Sequence, residues 1–235
     1  QPGRQKLPAL AVRDSLLQTI AASDVTVVAG GTGCGKSTQV PQVCARAHVV
    51  CVCTSSSVAL RRCSSSWLPL QFLLDEMLSS GHGGHANIVC TQPRRIAAVG
   101  VAERVAEERG EPIGRSVGYL IRGESKRSAA SRLTFCTTGI LLKMLEEDHD
   151  LVSVTHVVID EVHERSCDSD LLLLMCRQML ARRSIRDAVS PQLKVVLMSA
   201  TVDSDVFVKY FETAGLKVGT VEIEGVWCSS LTVIS

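Results

Sequence analysis

The string "GGTGCGKST" at 30–38 directly follows the apolar run "VTVVA" at 25–29. This pairing constrains the fold more than any other feature of the chain. It matches GxxxxGKS from 30 to 37, and it predicts a buried strand, a glycine loop and then a helix. Gly30, Gly31, Gly33 and Gly35 lack the Cβ that would block backbone N–H groups from turning around phosphate oxygens. Thr32, Cys34 and Thr38 complete the loop, and the following helix adds the partial positive charge of its N-terminus. Lys36 is a point charge for the β and γ phosphates, and the Ser37 hydroxyl is a ligand for Mg2+. No GxGxxG follows a strand-like run, which removes the dinucleotide reading.

Further along, short apolar runs alternate with helical patterns. "NIVCT" (87–91) precedes "RRIAAVGVAERVAEERG", "RLTFCT" (132–137) precedes "GILLKMLEE", "HVVID" (156–160) precedes "DLLLLMCRQMLARR", and "KVVLMSA" (194–200) precedes "SDVFVKYFETAG". Such alternation implies an α/β fold, a parallel sheet with helices on both faces. The leucines at 171–174 are expected to be buried against that sheet. In open parallel sheets ligands bind beyond the carboxyl ends of the strands, and the unusual residues fall at those positions.

"VVIDEVHER" delivers two adjacent carboxylates, Asp160 and Glu161, to the tip of an apolar strand. That placement is unfavourable unless a cation waits there. Asp160 is expected to hold hydrated Mg2+, and Glu161 to orient and polarise the attacking water. Read alone, the pair is a solvated acidic turn; read with the phosphate loop, it makes a P-loop NTPase that takes its nucleotide with Mg2+.

The run Asp160, Glu161, Val162, His163 resembles the motif that names the DEAH-box RNA helicases, a branch of superfamily 2. "TQPRRIAA" (91–98) is similar to the family's motif Ia, "TTGILLKML" (137–145) to motif Ib and "SAT" (199–201) to motif III. "VGYLIRGESK" (117–126) and "LPALAVRDSLLQTI" (7–20) also resemble family segments. The resemblance runs from about residue 7 to about residue 225, excepting residues 43–71. It implies a RecA-like domain over 25–225, preceded by a lead-in helix within 1–24, and RNA-stimulated ATP hydrolysis coupled to unwinding. It also implies that Arg94, Arg95, Thr137 and Gly139 face the nucleic-acid backbone, contacts that position a strand without reading its sequence. By the same resemblance His163, Ser199 and Thr201 couple nucleotide state to RNA. From the residues alone, Arg94 and Arg95 read as a solvated helix start, and Ser199 and Thr201 as caps for the next helix. No residue here separates RNA from DNA as the partner.

The chain departs from the family where Gly31 and Cys34 replace an acidic residue and a serine, and where Thr138 replaces a frequent acidic residue. The family places ATP between two RecA-like domains, the second supplying arginine fingers. Nothing in these 235 residues resembles that second domain. An absent arginine finger lowers the rate by about 10³–10⁵. A fragment that binds ATP-Mg and single-stranded RNA but turns over slowly is therefore expected, the alternative being a non-catalytic ATP- or RNA-binding product of mis-splicing or truncation.

Residues 43–71 and 226–235 differ in character from everything else. Together they hold both tryptophans and five of the ten cysteines, and neither has an Asp or Glu. Removing 43–71 joins "TQVPQ" to "FLLDE" and restores a helical apolar face through Val40, Phe72 and Leu73. Both segments begin with valine, whose codons all start GT, and the first ends with glutamine, which CAG encodes. These are the boundary letters of an intron. The first segment is read as a translated intron and the second as read-through at the next splice site. If 43–71 is instead a true insertion, it is expected to be extruded and poorly ordered, since loops beyond about 12–15 residues are rare in compact domains.

Composition adds little. Charge is balanced, 25 basic against 24 acidic residues, so no basic field marks a polyanion partner. No run approaches the roughly 18–20 apolar residues of a membrane span, and "QPGRQKLPAL" lacks the apolar stretch of a secretion signal. An intracellular protein, cytoplasmic or nuclear, with no membrane partner is expected. No CxxC is present, so Cys90 and Cys136, in apolar runs, read as buried free thiols. His82 and His85 in "GHGGH" lack a second pair and read as a surface loop rather than a metal site.

Overall fold

The computed structural model describes residues 12–30, 50–54, 57–61, 68–79, 81, 85–186, 193–199 and 204–223. Helix α1 (Arg13–Ala22) leads into β1 (Val25–Gly30). A ribbon of β2 (Val50–Thr54) and β3 (Ser57–Arg61) precedes α2 (Leu68–Ser79). Then follow β4 (Ile88–Gln92), α3 (Arg95–Arg109), β5 (Val117–Ile121), β6 (Glu124–Lys126), β7 (Leu133–Thr137) and α4 (Thr138–Glu147). The last elements are β8 (His156–Ile159), a 3-10 turn (Val162–Glu164), α5 (Cys167–Arg186), β9 (Lys194–Ser199), α6 (Asp205–Glu212) and β10 (Val218–Ile223).

Eight strands form one sheet in the order β10-β1-β9-β8-β4-β7-β5-β6. Every neighbouring pair is parallel except β5 with β6, an antiparallel hairpin at the edge. The central strands read as continuous apolar runs because both faces are covered. On one face Val28, Ile88 and Cys90 meet Leu16 and Ile20 of α1, Leu73 and Leu74 of α2, and Ala98, Ala102 and Val105 of α3. On the other, Val27, Val89 and Cys136 meet Leu141 and Leu145 of α4, Leu172 and Met179 of α5, and Phe207 and Phe211 of α6. Among the described residues three helices cover each face, the fold class the sequence predicts.

Of the leucines at 171–174, Leu172 and Leu173 are buried, while Leu171 and Leu174 are exposed. A run of four wraps more than one turn, so α5 cannot turn all of it inward. Cys90, Cys136 and Cys176 are buried free thiols, and burial raises each above its ordinary pKa, Cys136 and Cys176 to about 12.

The β2–β3 ribbon lies within the atypical block and pairs only with itself among the described strands, Val50 opposite Arg61 and Thr54 opposite Ser57. Helix α2 begins inside the block's last residues and runs on without a break past position 71. Leu70, from the block, is buried in the same core as Leu73 and Leu74.

Candidate functional site

The parallel sheet brings the carboxyl ends of β1, β9, β8, β4 and β7 to one edge. Gly30 closes β1 there, and its neighbour Ala29 pairs with Ser199, the last residue of β9. On the other side of β9, Ile159 of β8 pairs with Leu197, so Asp160 and Glu161 follow at the same edge. Gln92 ends β4 and pairs with Thr137 at the end of β7. Gly31, Thr32, Gly33, Cys34, Gly35, Lys36, Ser37, Thr38 and Thr201 lie outside the described residues, as do His82 and residues 1–11.

The two acids are held differently from a solvated turn. Asp160 is 6% exposed and Glu161 9%. The Asp160 backbone N–H donates to the Thr91 carbonyl at 3.3 Å. Its Oδ1 accepts the Glu161 backbone N–H at 2.9 Å, and its Oδ2 accepts the Gln92 side-chain amide at 2.7 Å. Glu161 adopts a left-handed backbone, φ 55 and ψ 39, a conformation that costs a non-glycine residue about 1–3 kcal/mol. The strain is retained because Asp160 fixes the Glu161 amide from one side and Val162, fully buried, anchors the next residue. A His163 Nδ1 then lies 3.4 Å from Glu161 Oε2, with both side chains mostly buried.

Asp160 and Glu161 supply hard oxygen donors that suit Mg2+, which prefers one or two carboxylates and keeps several waters. No group of three or more His, Cys, Asp or Glu capable of caging a metal occurs among the described residues. Two adjacent carboxylates are fewer donors than a structural metal site takes.

Beyond β4, Arg94 and Arg95 are exposed, with Arg94 in extended backbone before the first turn of α3. Arg94 Nη2 lies 3.8 Å from Glu164 Oε1. The Arg95 guanidinium donates to the Arg122 carbonyl at 2.9 Å, which joins motif Ia to the turn of the β5–β6 hairpin. Thr137 precedes α4 in extended backbone and makes no side-chain cap bond there. Gly139 sits in the first turn of α4, and a Cβ placed on it would meet nothing within 4 Å. Thr138, buried, opens the same helix.

Ser199 ends a strand and is 1% exposed; α6 starts at Asp205 with Ser204 in the N-cap position, so Ser199 is not a cap for that helix. Gln92 and Arg122 escaped the residue-level reading. Both lay in segments quoted for the family, and their contacts depend on strand order, which one sequence does not display. Among the described residues, no helix is long and apolar enough to cross a membrane.

Comparison with known proteins identifies the family. A family model described as DEAD/DEAH box helicase matches residues 11–207. The chain is similar to the DExH-box ATP-dependent RNA helicase DExH1 of Arabidopsis thaliana, 45% identical over 208 residues, covering 88% of this chain and 17% of that protein. It is also similar to the mouse putative ATP-dependent RNA helicase DHX57, at 44% over 208 residues, covering 88% of this chain and 12% of that protein. Mouse ATP-dependent RNA helicase DHX29 is 45% identical over 214 residues, covering 88% of this chain and 13% of that protein. The chain thus spans between about an eighth and a sixth of the length of these relatives. With more than half its residues matched by that model, this chain belongs to the DEAD/DEAH box helicase family.

Proposed function

We propose that the chain is the first RecA-like ATP-binding domain of a DExH-type RNA helicase, binding ATP-Mg at one sheet edge and single-stranded RNA beside it. The observation that carries this reading is the buried pair Asp160 and Glu161 at the tip of β8, one strand removed from the strand that leads into the glycine loop. Gly30, Gly31, Thr32, Gly33, Cys34, Gly35 and Thr38 cradle the phosphates, and Lys36 neutralises them. Ser37 and Asp160 would hold Mg2+, which when bound offsets the charge on the β and γ phosphates. Glu161 orients the attacking water and accepts its proton, and His163 steadies the Glu161 carboxylate. Ser199 and Thr201 link this site to the RNA side.

Arg94, Arg95, Thr137 and Gly139 form the RNA edge. Among the described residues nothing lies within 4 Å of a Cβ placed on Gly139, which leaves room for a phosphate to approach the backbone. The second RecA-like domain, and with it unwinding, belongs to the longer protein. DNA is the competing strand, and competition between matched oligonucleotides separates the two.

One titration tests the assignment. A fluorescent ATP analogue and labelled oligouridylate should each bind the wild-type chain. Lys36→Ala should weaken the nucleotide by roughly 10–100-fold, the worth of a charge-assisted contact, and spare the RNA. Arg94→Ala should do the reverse, with the salt dependence of RNA binding reduced by about 0.7 in slope for one lost phosphate contact. Unchanged nucleotide binding by Lys36→Ala would remove the phosphate cradle.

Residues 43–71 are proposed as a translated intron and 226–235 as read-through. The composition of the two segments and the self-contained pairing of β2 with β3 support this, whereas burial of Leu70 favours a true insertion. Sequencing mature transcripts decides it: messages that mostly retain the bases for 43–71 would end the intron reading.

A further inference from the structure

Gln92 is an amide at the end of an apolar strand, 5% exposed, in a place where methionine or leucine would pack without polar cost. Its Nε2 donates to Asp160 Oδ2 at 2.7 Å, while the other carboxylate oxygen accepts the Glu161 N–H at 2.9 Å. The residue before it, Thr91, accepts the Asp160 backbone N–H. The acid loop is therefore stitched to the tip of β4 by both main chain and side chain. Only a neutral donor suits this position. A lysine would neutralise Asp160 and compete with a divalent cation, and an acid would repel it; an amide orients the carboxylate and leaves its charge intact.

The chain beyond Gln92 leads straight to the RNA edge. Pro93 has a ring-fixed φ, which removes one of the backbone torsions between Gln92 and Arg94. Arg94 in turn faces Glu164 at 3.8 Å, a second tie between the same two loops. An RNA phosphate drawn to Arg94 competes for the guanidinium that Glu164 holds, which shifts the Arg94 segment, and Pro93 passes the shift to the Gln92 amide.

We propose that Gln92 is a positioning residue that sets the Asp160 carboxylate and couples RNA occupancy at Arg94 and Arg95 to metal-nucleotide binding. The inference rests on the ATP-Mg and RNA reading given above.

The test uses the full 235-residue chain, with Mn2+ as a paramagnetic probe, a non-hydrolysable imido analogue of ATP and oligouridylate. In the wild type, RNA should change the Mn2+-nucleotide affinity by at least about fivefold, the lower end of ordinary coupling between sites. Gln92→Leu should bring that factor to within about twofold of unity, while metal-free nucleotide affinity and RNA affinity stay near wild type. Its thermal midpoint should fall only by the few degrees expected when a buried carboxylate loses one donor. Gln92→Lys should lower Mn2+ affinity about tenfold, or more, at unchanged RNA affinity, because it places a cation on Asp160. Coupling that persists in a well-folded Gln92→Leu protein overturns the inference. So does a variant that loses both ligands in parallel with its thermal midpoint, which marks a packing role only. A wild-type chain that binds both ligands without coupling overturns this inference alone, whereas one that binds no metal-nucleotide overturns the functional reading beneath it.

Discussion

Glu161→Gln should reduce ATP turnover by about 10²–10⁴ in a chain carrying a second RecA-like domain downstream, the span expected for loss of a general base. The substitution preserves volume and reach, so the left-handed backbone at φ 55 and the Glu161 N–H bond to Asp160 should survive it. What disappears is the ability of the side chain to take a proton from water. Mg-ATP affinity should therefore stay within a few-fold of wild type, and the protein should accumulate in its nucleotide-bound state. Rapid-quench measurement of phosphate release, beside equilibrium binding of a fluorescent analogue, reads both quantities. Turnover that persists in Glu161→Gln at the wild-type rate would move the base elsewhere. The backbone strain at Glu161 is informative here: a conformation that costs a non-glycine residue persists when surrounding structure over-determines it, as buried Val162 and the Asp160 bond do.

The order of elements was largely legible from the chain, and for a physical reason. Strands buried on both faces must be apolar throughout, so 25–29, 88–91, 133–136, 156–159 and 194–198 stand out from the amphipathic helices between them. Glycine and acid motifs then fall at strand ends because only there can backbone or carboxylate reach a ligand. Three things were not legible. The β5–β6 hairpin ends in exposed charges and lacks the apolar signal of a central strand; Glu124, Ser125 and Lys126 are all exposed. Strand order was hidden as well. β4 and β8 are neighbours although three strands and two helices lie between them in sequence, and this crossover is what creates the Gln92–Asp160 and Arg94–Glu164 contacts. The boundary proposed at position 71 has no counterpart in α2, because Leu70 satisfies the same buried face as Leu73 and Leu74.

Asp160→Asn should separate metal binding from folding. Among the described residues the wild-type carboxylate accepts from the Glu161 N–H and the Gln92 amide. Asparagine keeps one acceptor and gains a donor, and Gln92 can answer by turning its own amide so that its oxygen accepts. Both buried contacts are then preserved, and the thermal midpoint should move by only a few degrees. Alanine at the same position would instead strand the Gln92 amide and the Glu161 N–H, each an uncompensated buried donor worth about 1–3 kcal/mol. Metal binding responds to the lost charge, which no amide rotation restores. Outer-shell changes alone weaken metal sites by about 10–100-fold, so if Asp160 holds the cation, loss of its charge should lower Mg-ATP affinity by on the order of 10² or more, with metal-free ATP affinity unchanged. Titrating Mg2+ against a fluorescent ATP analogue, with thermal unfolding of the same samples, measures both arms. An Asp160→Asn protein with wild-type Mg2+ dependence would show that the carboxylate serves the backbone of Glu161 and not a cation, and the acid pair would then be a structural knot at the end of β8.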